Sequence, residues 1–169
     1  RCILCRRCVR ACSYVNGVDA ISVVYRGFNA RIAFGADTPM QDSPCEFCGS
    51  CAEVCPTAAL YPKMSMGKGR PWQVKRVQTT CSYCGVGCQL VLEVRENKII
   101  KVDSAWDAPA NHGWTCVKGR FGYDYVNHPD RLTRPMVRKY LLDGAPRPEG
   151  RGEWVEVDWD TALEITARE

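Results

Sequence analysis

The sequence lacks the features that mark several common classes of protein. No apolar run approaches the roughly 20 residues that a membrane-spanning helix needs, and no signal peptide precedes Cys2, which already belongs to a cysteine motif. No long basic stripe with interleaved aromatic residues is present, which argues against nucleic-acid binding. We therefore expect a reducing, cytoplasmic environment, no membrane span and no nucleic-acid partner.

Cysteine is the residue that the chain has in excess, with twelve in 169 residues. Such a number is typical of a disulfide scaffold, a zinc protein or an iron-sulfur protein. Disulfides need an oxidising compartment, and thiols this close in sequence are awkward to pair with one another. Zinc is the stronger alternative, above all for the last four cysteines, but the first eight crowd too many thiolates together for separate tetrahedral ions. Iron-sulfur ligation is favoured.

Two copies of one four-cysteine motif are the strongest signal in the sequence. Residues 2–12 have the spacing C-x2-C-x2-C-x3-C, and residues 45–56 repeat it 43 positions later with a proline, Pro56, appended. In this pattern the first three cysteines bind one 4Fe-4S cluster and the fourth binds the other. The predicted ligand sets are therefore crossed: Cys2, Cys5, Cys8 and Cys55 in the first set, and Cys45, Cys48, Cys51 and Cys12 in the second set.

A third set has a different spacing. Cys81, Cys84 and Cys88 follow C-x2-C-x3-C, and Cys116 comes much later. Residues 88–95 and 98–103 alternate like strands around Glu96-Asn97, which predicts a hairpin that lets Cys116 return to a third 4Fe-4S cluster. The two histidines, His112 and His128, are predicted to be turn residues, because twelve cysteines already complete three sets of four.

The remaining elements predict an α+β fold. We expect strands at residues 20–25, 59–61 and 153–157, a loop or small hairpin at 26–44, and a helix at 118–127. Asp158 is expected to cap a final helix. Residues 1–70 contain nine Lys/Arg and five Asp/Glu. This basic excess would offset clusters that each carry about −2 with their four thiolates.

The motifs resemble a known family. CILCRRCVRAC and CEFCGSCAEVCPTAAL resemble the two-cluster ferredoxin module of cytoplasmic NAD-linked formate dehydrogenase α subunits and of iron-only hydrogenases. TTCSYCGVGCQL followed by CVKGRFGYDYVNHPDRLTRPMVRK resembles the amino-terminal 4Fe-4S domain of molybdopterin oxidoreductases, and of formate dehydrogenases in particular. This resemblance implies a two-cluster ferredoxin-like domain at 1–61, a linker at 62–76, the small 4Fe-4S domain at 77–130, and the truncated start of a molybdopterin-binding catalytic domain at 131–169.

The resemblance also implies a function. The complete protein would interconvert formate and carbon dioxide at a molybdenum or tungsten bis-pyranopterin guanine dinucleotide centre. Electrons would pass through the third set, then through the two ferredoxin-type clusters, to a flavin/NAD-binding iron-sulfur subunit or a ferredoxin. Lys118 matches the family's lysine between the proximal cluster and the pterin, although a solvated lysine at a helix start is the structural alternative. The family's catalytic residues would lie beyond Glu169, so we expect the chain to be a fragment with no catalytic residue of its own.

Three alternatives stay open. The large subunit of NADH-quinone oxidoreductase shares the third cysteine set, although such subunits resemble a one-cluster version of the first module. Iron-only hydrogenase shares the first module but not the CGVGC segment. A stand-alone electron carrier would need no catalytic domain, and the presence or absence of an in-frame pterin-binding continuation would distinguish it.

Overall fold

The structure, a computed structural model, describes all residues 1–169 as two compact units, residues 1–127 and residues 128–169. Short helices and three small antiparallel sheets make up the chain, in agreement with the predicted mixture of helix and sheet. No helix is at once long and apolar enough to cross a membrane.

The sequence repeat is also a backbone repeat. Helix α1 spans Arg7–Arg10 and helix α2 spans Ser50–Glu53, at equivalent positions of the two motifs. The residue before each helix is left-handed, with φ 59° at Arg6 and 80° at Gly49. The first helix continues into a π-helical turn, Ala11–Val15, which carries Cys12. Each motif therefore folds as a tight cysteine loop that leads into one short helical turn.

A small hairpin follows the first motif. Strand β1, Ile21–Val24, pairs with β2, Arg31–Phe34, and Ile21 lies opposite Phe34. This confirms the predicted first strand. Residues 26–44 do not form a hairpin by themselves, because β2 pairs with β1 and the residues after Phe34 form turns. The strand expected at residues 59–61 is wrong, because that segment forms bends. Ala58 just before it has φ 50°, which takes the backbone out of the extended region, and β2 already pairs with β1.

The second sheet has three strands in the order β3-β4-β5: Lys75–Thr80, Gln89–Arg95 and Lys98–Ser104. The hairpin between the last two strands is as predicted. Glu96 and Asn97 have φ 50° and 58°, and two left-handed residues are what a type I′ turn requires. Strand β3 was not predicted from the sequence. It leads directly into Cys81 and so holds the start of the third cysteine set against the sheet.

The core of this sheet is small. Leu90, Val102 and Tyr123 are buried together, and Met64 packs against them. Lys68, four residues after Met64, also contacts the sheet: its carbonyl accepts a hydrogen bond from Arg95 Nη1 at 3.0 Å. Part of the segment between the two cysteine modules is thus packed onto the sheet.

The segment after Cys116 forms helix α3, Val117–Phe121, and then a 3₁₀ turn, Asp124–Asn127. The single helix predicted over residues 118–127 is therefore wrong in extent. Gly122 ends α3, and a Cβ at this position would lie 2.6 Å from the Lys118 carbonyl oxygen. The break lets Tyr123 turn into the sheet core, where its hydroxyl donates to the Ile100 carbonyl at 3.0 Å.

The unit formed by residues 128–169 contains helix α4, Lys139–Asp143, and a two-stranded sheet of β6, Met136–Arg138, and β7, Trp154–Glu156. Helix α5, Trp159–Arg168, follows. The Asp158 carboxylate accepts a hydrogen bond from the Thr161 amide at 2.8 Å, and this confirms the predicted cap.

Candidate iron-sulfur sites

The first thiol set lines one cavity. Cys2, Cys5, Cys8 and Cys55 all border a space of about 180 Å³. Cys8 is the most enclosed of them, with 8% of its surface exposed. Burial raises the pKa of the Cys8 thiol, and the neighbouring thiols of Cys5 and Cys55 raise it further. Cys55 thus lies with the first motif in space, although it belongs to the second motif in sequence.

The second thiol set lines another cavity. Cys12, Cys45, Cys48 and Cys51 border a space of about 550 Å³. Burial raises the pKa of Cys45, with further contributions from Cys48 and Cys12. Burial is the main cause that raises the pKa of the Cys51 thiol to about 12. The thiol of Cys8, from the first set, contributes a smaller part of this rise. The two sets are therefore close neighbours.

Backbone amides donate to the sulfur atoms in the same way in both motifs. The Leu4 amide lies 3.4 Å from Cys2 Sγ, and the Phe47 amide lies 3.4 Å from Cys45 Sγ. Leu4 and Phe47 are both left-handed, with φ 53° and 55°. This unusual conformation belongs to the cysteine loop, in which amides turn inward towards the sulfur. Such donors stabilise the thiolate form that metal binding needs.

Several hydrogen-bond donors surround the Cys55 thiol. Burial alone would raise its pKa, but the amides of Leu60, Thr57 and Ala59 and the Thr57 hydroxyl hold that pKa below its ordinary value. Cys12 receives a comparable donor, the Ala20 amide, at 3.3 Å from its Sγ. The two cysteines that cross between the motifs therefore each have backbone donors of their own.

The third set surrounds the end of the three-stranded sheet. Burial is the main cause that raises the pKa of the Cys88 thiol. The neighbouring thiols of Cys81, Cys84 and Cys116 raise the same pKa further. The Cys81 amide donates to the Cys88 carbonyl at 2.7 Å, which closes the loop between them. Gly87, in the loop, has φ 71° and no atom within 4 Å of where a Cβ would lie. An open backbone beside three cysteines leaves room for an inorganic group.

The thiols within each set are neighbours in space. No group of three or more His, Cys, Asp or Glu side chains is gathered closely enough to hold one metal ion. The thiols of each set are nevertheless near enough to raise one another's pKa. A 4Fe-4S core would fill such a wider space, and its positive charge would favour the thiolates that burial disfavours.

Lys118 lies in helix α3, two residues after Cys116. Its Nζ is 5.9 Å from the centre of the Tyr83 ring, which lies between Cys81 and Cys84 in sequence. The Tyr83 ring also packs edge-on against Tyr125 at 6.2 Å, and its hydroxyl donates to the Gly122 carbonyl. The lysine is exposed and is held beside the third set.

Sequence reasoning missed a buried ion pair between the two cysteine modules. Arg120 Nη1 lies 2.6 Å from Glu53 Oε2, and the two side chains are 3% and 13% exposed. Arg120 is four residues after Cys116, and Glu53 lies between Cys51 and Cys55. In sequence, each residue looks like an ordinary charged residue exposed to solvent. No pattern in the sequence therefore identified the pair.

Two known domain families match the chain. Residues 1–59 match the 4Fe-4S dicluster domain, and residues 74–128 match the Molybdopterin oxidoreductase Fe4S4 domain. The cysteine sets and these two domains define the chain as an iron-sulfur protein. More particularly, the chain combines a 4Fe-4S dicluster domain with an Fe4S4 domain of the kind found in molybdopterin oxidoreductases.

The similar proteins are named either as a subunit of NADH-quinone oxidoreductase or as formate dehydrogenases. A protein of Rhizobium meliloti (strain 1021) that is named as a subunit of NADH-quinone oxidoreductase is 38% identical, and the alignment covers 96% of this chain and 17% of that protein. Two proteins named "Putative formate dehydrogenase" are 32% identical in Staphylococcus haemolyticus (strain JCSC1435) and 33% identical in Staphylococcus aureus (strain USA300). Those alignments cover 98% and 99% of this chain and 20% of each relative. The chain thus spans about a fifth of the length of these relatives.

Proposed function

We propose that the chain is the iron-sulfur portion of a cytoplasmic molybdenum or tungsten formate dehydrogenase. It would relay electrons between a bis-pyranopterin guanine dinucleotide metal centre, where formate and carbon dioxide interconvert, and a flavin/NAD-binding iron-sulfur subunit or a ferredoxin. The observation that carries this proposal is the partition of the first eight thiols into two cavities of four, each taking one cysteine from the opposite motif. The relatives named as formate dehydrogenases support the choice of substrate.

Three 4Fe-4S clusters are proposed, one for each thiol set. When bound, each cluster supplies reversible one-electron chemistry. The chain's own contribution is to hold four thiolates and to direct amides at their sulfur atoms, as Leu4 and Phe47 do. Such hydrogen bonds set the reduction potential of a cluster, together with its burial. The two cavities differ in size and lining, so we expect different potentials for the two clusters.

The same proposal divides the chain by role. Residues 1–61 form the two-cluster domain, 62–76 the connection, 77–130 the third-cluster domain, and 131–169 the beginning of a pterin-binding catalytic domain. Lys118 would extend from the third cluster towards the pterin. Its position beside Tyr83 and its exposed ammonium support this role, because the side chain is oriented by the cysteine loop and its end is free to meet a further group.

Metal analysis tests the cluster proposal directly. Anaerobic reconstitution of the chain is expected to give about twelve iron and about twelve acid-labile sulfide per chain, from three four-iron clusters. A sample that binds four iron, or zinc in place of iron, would refute the assignment. Visible absorption that bleaches on reduction should accompany the iron.

The large subunit of an NADH-quinone oxidoreductase is the second candidate, and the 38% identity to the Rhizobium meliloti protein is the observation that favours it. The response of the clusters to formate distinguishes this candidate from a formate dehydrogenase. In the complete protein with its natural partners, formate alone should reduce the clusters of a formate dehydrogenase within the time of turnover. Reduction by NADH but never by formate would favour the second candidate, and a natural protein without a pterin-binding segment would favour a stand-alone carrier.

A further inference from the structure

The strongest unassigned feature is the hydrogen-bond network around Arg120. Its guanidinium donates to Glu53 Oε2 at 2.6 Å, to the Val102 carbonyl at 3.3 Å and to Ser104 Oγ at 2.9 Å. Glu53 in turn accepts from the Ser104 amide through Oε1 at 3.4 Å. One carboxylate of the two-motif module is thus bonded both to a helix and to a strand of the third-set module.

The two ends of this network lie close to cysteines. Glu53 is the last residue of α2, the short helix that contains Cys51, and Arg120 is in α3, directly after Cys116. Because each helix is only one turn long, the network cannot shift without shifting the cysteine beside it. The ion pair therefore connects the helix that contains Cys51 of the second set to the helix that follows Cys116 of the third set, and Cys55 of the first set lies two residues beyond Glu53.

Close packing surrounds the ion pair. A Cβ on Gly49 would lie 2.9 Å from the Phe121 ring and 3.0 Å from Arg120 Cγ, so α3 sits directly on the second cysteine loop. Phe121 also lines the cavity of the second set. The contact is thus specific in shape as well as in charge, and it reaches the place where a cluster would be held.

We propose that Arg120 and Glu53 are positioning residues that fix the separation and orientation of the third cluster relative to the cluster of the second set. This role rests on the proposed iron-sulfur function and goes beyond it, because it assigns the geometry between clusters to two residues that bind neither. A fully buried arginine and a nearly buried carboxylate are costly to desolvate. The pair makes four hydrogen bonds, and hydrogen bonds are directional. They fix the relative orientation of the two cysteine modules more closely than apolar packing alone would.

The test uses the full chain with its clusters reconstituted. Three variants are compared with the parent: Glu53→Ala, which removes the acceptor; Glu53→Gln, which keeps an oxygen that can accept from Arg120; and Glu46→Gln as a control. Glu46 is an exposed carboxylate next to Cys45 that also borders the second cavity. The readouts are iron content, cluster potentials, and the splitting of the EPR signal that arises from magnetic coupling between the reduced second-set and third-set clusters.

We expect Glu53→Ala to keep the parental iron content and to lose the resolved splitting, because the two clusters no longer hold one relative geometry. Glu53→Gln should retain the splitting, and Glu46→Gln should change the potential of the second-set cluster without changing the splitting. Parental splitting in Glu53→Ala with full iron content would overturn the proposal. A parent with fewer than three clusters would instead contradict the proposed function.

A folding defect is handled by a second variant. If Glu53→Ala does not retain iron, the double replacement Glu53→Met with Arg120→Met removes both charges together and keeps apolar volume, which buried ion pairs often tolerate. This variant should bind iron and lack the parental splitting. If it binds iron and shows the parental splitting, packing alone sets the geometry and the proposal is wrong.

Discussion

The crossed ligand sets can be tested by removing cysteines in pairs. Cys5 lies in the first cavity together with Cys55, its partner from the opposite motif, whereas Cys12, from the same motif as Cys5, lines the second cavity. We therefore compare Cys5→Ala/Cys55→Ala with Cys5→Ala/Cys12→Ala. Both double variants remove two thiols and keep every other ligand, so each is a matched control for the other.

The expected magnitudes follow from the cavities. Cys5 and Cys55 share one set, so their double variant should lose one cluster, from about twelve iron to about eight. Cys5 and Cys12 belong to different sets, so that variant should lose two clusters and fall to about four iron. Iron and sulfide analysis after anaerobic reconstitution measures this directly, and EPR of the reduced samples shows how many signals remain.

The opposite order of iron contents would refute the crossing. If each motif held its own cluster with all four of its cysteines, the Cys5/Cys12 variant would lose one cluster and the Cys5/Cys55 variant would lose two. Equal losses in both variants would show that damage to one cluster destabilises the other, and the single variants Cys12→Ala and Cys55→Ala would then have to lose the same amount as the doubles.

Three further predictions concern other parts of the chain. If Lys118 has its proposed role, Lys118→Ala in the complete protein should slow formate turnover with unchanged iron content. Unchanged turnover would show that Lys118 is an ordinary solvated lysine. In the metal-free chain near pH 8, alkylation followed by mass spectrometry should modify Cys55 well before Cys51. A pKa of about 12 in place of 9.0 leaves Cys51 with about a thousandfold less thiolate than an ordinary cysteine. Raising the pH should narrow the difference between the two rates, and equal rates near pH 8 would contradict the prediction. Leu90→Ala should destabilise the sheet core by about 2–5 kcal/mol in denaturant titrations, whereas Leu163→Ala, 62% exposed, should have little effect.

The sequence predicted those parts of the fold that depend on residues close together in the chain. The hairpin at Glu96-Asn97 was predictable because two alternating segments flank the pair and because Asn97 tolerates the left-handed conformation that the turn needs. The cap at Asp158 was predictable for a similar reason, since an aspartate before a helical pattern has a known hydrogen-bond partner. The period of 43 residues predicted two equivalent cysteine loops, and the structure has equivalent helices and left-handed residues there.

Features that depend on distant partners were not predictable. Strand β3 has only modest strand character, and its pairing with β4 creates it. The helix after Cys116 ends at Gly122, whose carbonyl accepts a hydrogen bond from the Tyr83 hydroxyl, a contact across 39 residues. The ion pair of Glu53 and Arg120 spans 67 residues, and neither partner's sequence neighbourhood indicates the other. Charge pairs at a domain contact can be identified only once the fold has brought them together.

The position of Cys55 in the first cavity has a consequence for synthesis of the protein. While the chain emerges from the ribosome, the opening motif offers three sulfur atoms and must wait until residue 55 has followed it before a fourth is available. The second motif, in contrast, meets Cys12 already made. On the proposed ligand sets, insertion of the first cluster therefore requires that translation has passed Cys55. A ribosome stalled between the two repeats would leave four thiols, those of Cys2, Cys5, Cys8 and Cys12, exposed to oxidants and to competing metals.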